Sequence, residues 1–249
     1  MRSHTTFQLV SVSVAGILLI SLGGCPTRPQ GPEPSMAAKV PPAPVAQPQR
    51  HVGHPFDVSP RDSLLTILAF RGGTLAKVGH NHVIASHDVS GTFYVPDDVT
   101  HSTFELRIPV GQLVIDEPDL RAKEGPDFPK DVPDSAKEGT RRNMLSEALL
   151  NGGQYPDLSL VSQHIDVITP GSQVRADVQI TLRGQTHTVS VPVTYSLSNG
   201  ELTASGELPL KQTDLGLTPF TAMLGALAVQ DEMRVRFRFV AHAATRNAN

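Results

Sequence analysis

The sequence predicts an all-β fold made of antiparallel hairpins, with one helix inserted between strands. Three observations carry this. Long stretches alternate apolar and polar residues with period two, the mark of strands with one buried face. Tight-turn residues, above all Asn199-Gly200, separate these stretches where a two-residue hairpin needs positive φ. Only residues 135–150 carry helical spacing between a capping pair and a glycine pair. Consecutive hairpins with one apolar face bury it by curling into a barrel or pairing into a sandwich.

Along the chain the first element is an address. Arg2 supplies positive charge, Val10 to Leu22 is apolar apart from serines and a glycine, and Leu22-Gly23-Gly24-Cys25 follows. This is the layout of a secretory signal peptide, here residues 1–24, and the run is short of the roughly 20 residues a membrane span needs. Leu-Gly-Gly-Cys resembles the lipobox of bacterial lipoproteins. That resemblance implies cleavage before Cys25, a diacylglyceryl group on its sulfur and acylation with a fatty acid such as palmitate. A buried thiol and an uncleaved anchor are the alternatives. The segment from Cys25 to residue 55 is crowded with Pro, Ala, Gln and Gly. It cannot bury enough surface to offset its ordering entropy, and its prolines favour an extended spacer.

Folding signals run from Phe56 to residue 243, and a disordered tail is expected over 244–249. Phe104, Leu106, Ile108 and Val110 alternate with polar residues. The helix begins beside Asp134-Ser135, either of which can cap, and stops at Asn151-Gly152-Gly153; Met144, Leu145, Ala148 and Leu149 form its apolar stripe. Val174, Ala176, Val178, Ile180 and Leu182 form one strand face. After a turn at Arg183-Gly184-Gln185 comes another face: His187, Val189, Val191, Val193, Tyr195 and Leu197. Leu202, Ala204, Gly206, Leu208 and Leu210 continue the pattern. Met233, Val235, Phe237 and Phe239 alternate with Arg234, Arg236 and Arg238, an external basic ridge. Pro109 and Pro192 sacrifice ladder hydrogen bonds, so bulges or strand ends are expected there. Small inward residues (Ala176, Ala204, Gly206) would leave space inside.

Two features point toward chemistry. In Gly79-His80-Asn81-His82, a strand would turn both imidazoles the same way, beside Val78 and Ile84, and His187 also falls on an apolar face. Such histidines either hydrogen-bond a polar ligand end or neighbouring groups, or bind a metal together. The stretch Leu215 to Val229 carries Leu217, Phe220, Met223, Leu224 and Leu227 among glycines. It reads either as a lid over a barrel mouth or as a short core helix. A formal charge of −3 excludes a polyanion binder driven by bulk electrostatics, so no nucleic-acid partner is expected. A single cysteine excludes an intramolecular disulfide framework. No nucleophile elbow, Walker loop or dinucleotide fingerprint occurs.

An ordered set of segments resembles the YceI-like family. Phe56-Asp57-Val58-Ser59-Pro60 with Ser63-Leu64-Leu65-Thr66-Ile67 is similar to its opening, and Val89-Ser90-Gly91-Thr92-Phe93 to the segment after it. Arg142-Asn143-Met144-Leu145 with Tyr155-Pro156-Asp157-Leu158-Ser159-Leu160 resembles its helix and following strand. Thr181 to Thr186 resembles its hairpin and Lys211 to Leu217 its late loop, while Glu117 to Gly139 is an insertion foreign to the pattern. The resemblance implies an extended lipocalin-like antiparallel barrel, exported, enclosing a polyisoprenoid or isoprenoid quinone, without catalysis and with no cofactor besides that lipid. The lumen candidates are Val78, His80, His82, Phe93, Phe104, Leu106, Ile108, Val178, Ile180, His187, Val189, Val191, Tyr195, Ala204, Phe220, Met223 and Phe237. The expectation is a lipoprotein on the periplasmic side of the cell envelope, anchored through Cys25. Pro26 after the cysteine, in place of aspartate, favours the outer membrane where a cell has one. Two alternatives stand beside it: a metal-dependent barrel enzyme using His80, His82 and His187, and a structural envelope protein with a filled barrel.

Overall fold

The computed structural model describes residues 51–244. The expected signal peptide, Cys25, nearly all of the spacer and the last five residues lie outside the described residues. The strands are β1 (His54–Val58), β2 (Leu64–Gly72), β3 (His82–Ser86), β4 (Ser90–Val95), β5 (Thr103–Pro109) and β6 (Val114–Ile115). Helices α1 (Pro118–Arg121) and α2 (Asp134–Leu145) follow. Then come β7 (Asp157–Thr169), β8 (Gln173–Leu182), β9 (Gln185–Ser198), β10 (Glu201–Lys211), β11 (Thr221–Ala222) and β12 (Leu227–Ala243).

Eight strands close a barrel in the order β1-β4-β5-β7-β8-β9-β10-β12, with β1 pairing back to β12 at Phe56↔Ala243. All pairings are antiparallel, so the fold is the expected all-β, lipocalin-like barrel with an inserted helix. Strand β12 is the keystone. Its C-terminal end pairs β1, while Ala228 to Arg238 pair β2, which leads outward to β3 and β6. The alternation predicted for β8, β9, β10 and β12 is realised, and both glycine hairpins are two-residue turns with positive φ: Arg183 (53°) and Gly184 (71°), Asn199 (52°) and Gly200 (76°).

The prolines fall where their missing N–H does least harm. Pro109 ends β5. Pro192 lies inside β9, but the β9–β10 ladder stops at Thr194↔Ser205, just before it. Gly206 leaves no space for a ligand: a Cβ there would sit 2.4 Å from the Pro192 carbonyl oxygen and 2.7 Å from the Phe237 ring. Ala176 is likewise packed into the core. Gly91 is required by the backbone, since at φ +131° a Cβ would lie 2.1 Å from the Glu105 carbonyl oxygen.

The helix is shorter than expected. It follows Pro133, has no side-chain cap, and ends at Leu145; irregular turns carry the chain on to Asn151 (φ 47°). Arg141 pins α2 by donating to the carbonyls of Leu113 and Gly111. The stretch after Leu215 is neither a core helix nor a simple lid. It is a short hairpin, β11 on β12, whose tip holds Met223 and Leu224 in the left-handed region at about 1 kcal/mol each.

Residues 117–139 fold against the outside of the barrel. Strand β2 is thereby covered on both faces: Leu65, Ile67 and Ala69 point inward, while Leu68 and Phe70 pack with Val83, Leu120 and Phe128.

Candidate functional site

The inward faces of the strands enclose a cavity of about 420 Å³, within the usual range for a ligand site. Its wall is almost wholly aliphatic and aromatic. Phe93, Phe104, Leu106, Ile108, Val178, Ile180, Val189, Val191, Ala204, Phe220 and Phe237 all lie on it, as do His80 and His82. One end is closed. Phe56, Val58, Leu202 and Ala241, around the β1–β12 closure, form solid core beyond Phe93 and Phe239. The other end opens beside Arg71, Ala76, Gly79, Phe220 and Leu227.

Four of the lumen candidates are misplaced by the sequence reading. Val78 is 69% exposed, because a 3₁₀ turn over Ala76–Val78 breaks the strand period and β3 begins only at His82. Met223 is 66% exposed at the strained hairpin tip. Tyr195 points inward but lies near the β9–β10 turn, among the packed side chains of the closed end. His187 is covered by the turn at Gly216, whose Cβ position is 3.0 Å from Nε2. The metal arrangement of His80, His82 and His187 is therefore not assembled, and among the described residues no group of three metal-ligating side chains converges.

His80 and His82 do converge, with ring centroids 6.2 Å apart, and Asn81 between them faces the other way. Asn81 accepts from the Arg71 amide (2.9 Å) and donates to the Asp127 carbonyl (3.1 Å), tying the insertion to the end of β2. His82 is oriented from behind. Its Nδ1 lies 2.7 Å from Asp116 Oδ2, and Asp116 also accepts from the Val83 amide and the Arg121 guanidinium. With Nδ1–H given to Asp116, Nε2 is left to accept the Thr140 hydroxyl at 3.1 Å.

Arg121 is fully buried. It donates to the carbonyls of Pro129 and Asn81 and lies 5.6 Å over the Phe128 ring. Burial pushes the Asp116 carboxyl up, but hydrogen bonds from His82 and Val83, with the Arg121 charge, bring it below the usual carboxylate value. Burial first, then the nearby His82 and Arg121, lowers the His80 imidazole, favouring the neutral ring. Hydroxyl, imidazole and carboxylate in line also describe a nucleophilic site. Here Asp116 is shared with the Val83 amide and the Arg121 guanidinium, and it fixes the orientation of the His82 ring. The line suits orientation of His82, and His80, Asn143, Arg71 and Gln212 are the other polar side chains on an otherwise apolar wall.

Residues 60–241 match the YceI-like domain. The chain belongs to the YceI-like family. Its fold is shared with BcnA of Burkholderia cenocepacia (18% identity, TM-score 0.54, 76% of this chain and 100% of that one). It is shared also with a polyisoprenoid-binding domain from Saccharophagus degradans implicated in plant cell wall breakdown (14% identity, TM-score 0.51, 76% and 98%). No curated protein matches the sequence.

In this YceI-like barrel the residues that sequence reasoning missed are Asp116, Arg121, Thr140 and Asn143. Asp116 and Arg121 sit in or beside the insertion, where no periodicity operates, while Thr140 and Asn143 lie on α2 outside its apolar stripe. Asp116 carried one weak signal: an acid directly after Ile115, within an otherwise apolar strand end.

Proposed function

We propose that this protein binds or carries a long apolar lipid of the polyisoprenoid or isoprenoid quinone class, held in the barrel as a binding protein and not as an enzyme. The observation that carries the reading is the apolar cavity, closed at one end and with few polar side chains on its wall. Each methylene buried there is worth roughly 0.8 kcal/mol, so an isoprenoid chain gains affinity from length alone. His80, and the Thr140 oxygen held in place by His82, offer the polar end partners that a filled aliphatic core would lack. The Saccharophagus degradans domain of the same fold, a polyisoprenoid-binding domain, supports the ligand class. Native mass spectrometry after incubation with a long-chain prenol in detergent is expected to show a one-to-one complex. Bare polypeptide under all conditions would sink the reading.

We further propose that Cys25 is lipidated and holds the barrel at the periplasmic side of the envelope, at the outer membrane where one exists. Radiolabelled palmitate should enter wild type and not Cys25→Ser; equal labelling would refute it.

A further inference from the structure

The open end of the barrel is edged by apolar side chains that are exposed among the described residues. Leu224 is fully exposed, and Val78 (69%), Met223 (66%) and Leu75 (40%) are exposed beside it. Two segments build this edge and are bonded to each other: the Leu75 amide donates to the Ala226 carbonyl at 2.8 Å, and Gly79 packs toward Leu227. The same two segments send Ala76, Gly79, Phe220 and Leu227 inward onto the cavity wall, so apolar surface is continuous from edge to interior.

Backbone conformation argues that the exposure is specified. Met223, Leu224 and Gly225 occupy the left-handed region in succession (φ 52°, 56° and 88°). Two of these are bulky residues that disfavour it. The tip thus holds an unfavourable conformation while its largest apolar side chains face solvent, the reverse of what folding alone selects.

Charge indicates the partner. Residues 71–80 and 215–230, between Asp214 and Asp231 at the base of the hairpin, contain no aspartate or glutamate, and Arg71 and Lys77 are their charged residues. Lys77 is exposed between Leu75 and Val78. At the closed end exposed Leu197 instead lies near Glu201, paired with Ser198.

We propose that this rim docks on a lipid bilayer, with Leu224, Met223 and Val78 entering the headgroup layer and Lys77 meeting lipid phosphates. The cavity then opens directly onto the membrane. The proposal rests on the lipid-binding reading for the purpose of the contact, and its test separates the two.

In the whole chain carrying Cys25→Ser, a single cysteine is introduced by Leu224→Cys, Val78→Cys or Leu197→Cys and labelled with an environment-sensitive fluorophore. Vesicles of phosphatidylethanolamine and phosphatidylglycerol are then added. A blue shift with quenching by brominated lipid is expected at positions 224 and 78 and not at 197. Placing Met223→Asp and Leu224→Asp in the Val78→Cys chain should raise the half-saturating vesicle concentration about tenfold or more per substitution. The same aspartates should leave prenol binding from detergent unchanged. No shift at 224 and 78, or equal quenching at 197, overturns the docking proposal even if prenol binds from detergent. Loss of prenol binding in wild type overturns the lipid reading and leaves a rim that still docks.

Discussion

Replacing Asp116 by asparagine removes one charge and almost no volume, and the structure allows its cost to be worked out. The carboxylate accepts from His82 Nδ1, the Val83 amide and Arg121 Nη1, and its side chain is wholly buried. Asparagine can keep the Val83 bond through its carbonyl oxygen. The Arg121 guanidinium, also fully buried, then loses the carboxylate that neutralises it. Removing one partner of a buried ion pair typically costs about 3–5 kcal/mol. In a domain of this size each kcal/mol shifts Tm by about 2–4 °C, so a fall on the order of 10 °C is expected for Asp116→Asn. The chain has no tryptophan, so far-UV circular dichroism, followed in thermal melts and in urea, is the suitable assay. Adding Arg121→Met to Asp116→Asn removes the stranded charge and should recover about half the loss or more. An Asp116→Asn protein within about 1 kcal/mol of wild type, or a double variant no more stable than the single one, would refute the argument.

Three further outcomes are expected. Because Asp116 is held below the usual carboxylate value, its contribution is complete above that value and is lost as pH falls through the folded one. Denaturation midpoints of wild type should therefore drop below about pH 4, with the drop flattened in Asp116→Asn. Ala69→Phe, on the inward face of β2 opposite His82, fills the cavity and should weaken prenol binding about tenfold or more, read by titration with a fluorescent prenol. Gly91→Ala forces a Cβ against the Glu105 carbonyl at positive φ, so a loss of at least about 2 kcal/mol is expected in thermal melts; a neutral result would mean that the β4–β5 contact relaxes freely.

The barrel was legible because its strands obey one rule. In β8, β9, β10 and the Met233–Phe239 part of β12 apolar residues repeat at every second position, and the pleat turns that pattern into an inward face. The rule fails where the backbone leaves the strand. Val78 shares parity with His80 and His82, yet a 3₁₀ turn places it in solvent. Tyr195 and His187 share parity with Val189 and Val191, but parity does not encode depth: Tyr195 lies in the packed closed end, and His187, near the other end of β9, is covered by the turn at Gly216. Asp116 and Arg121 were hidden for a different reason. Their burial is created by a segment with no repeat, folded back on β2 and β3, and only the tertiary packing makes that pair central.

The closed floor of the cavity has a kinetic consequence. With Phe93 and Phe239 backed by solid core, nothing that occupies the barrel can arrive or depart through that end. Exchange is then strictly sequential, since an incoming molecule cannot push out the resident from behind. Turnover is set by how fast the occupied barrel empties and is independent of how much fresh ligand waits outside.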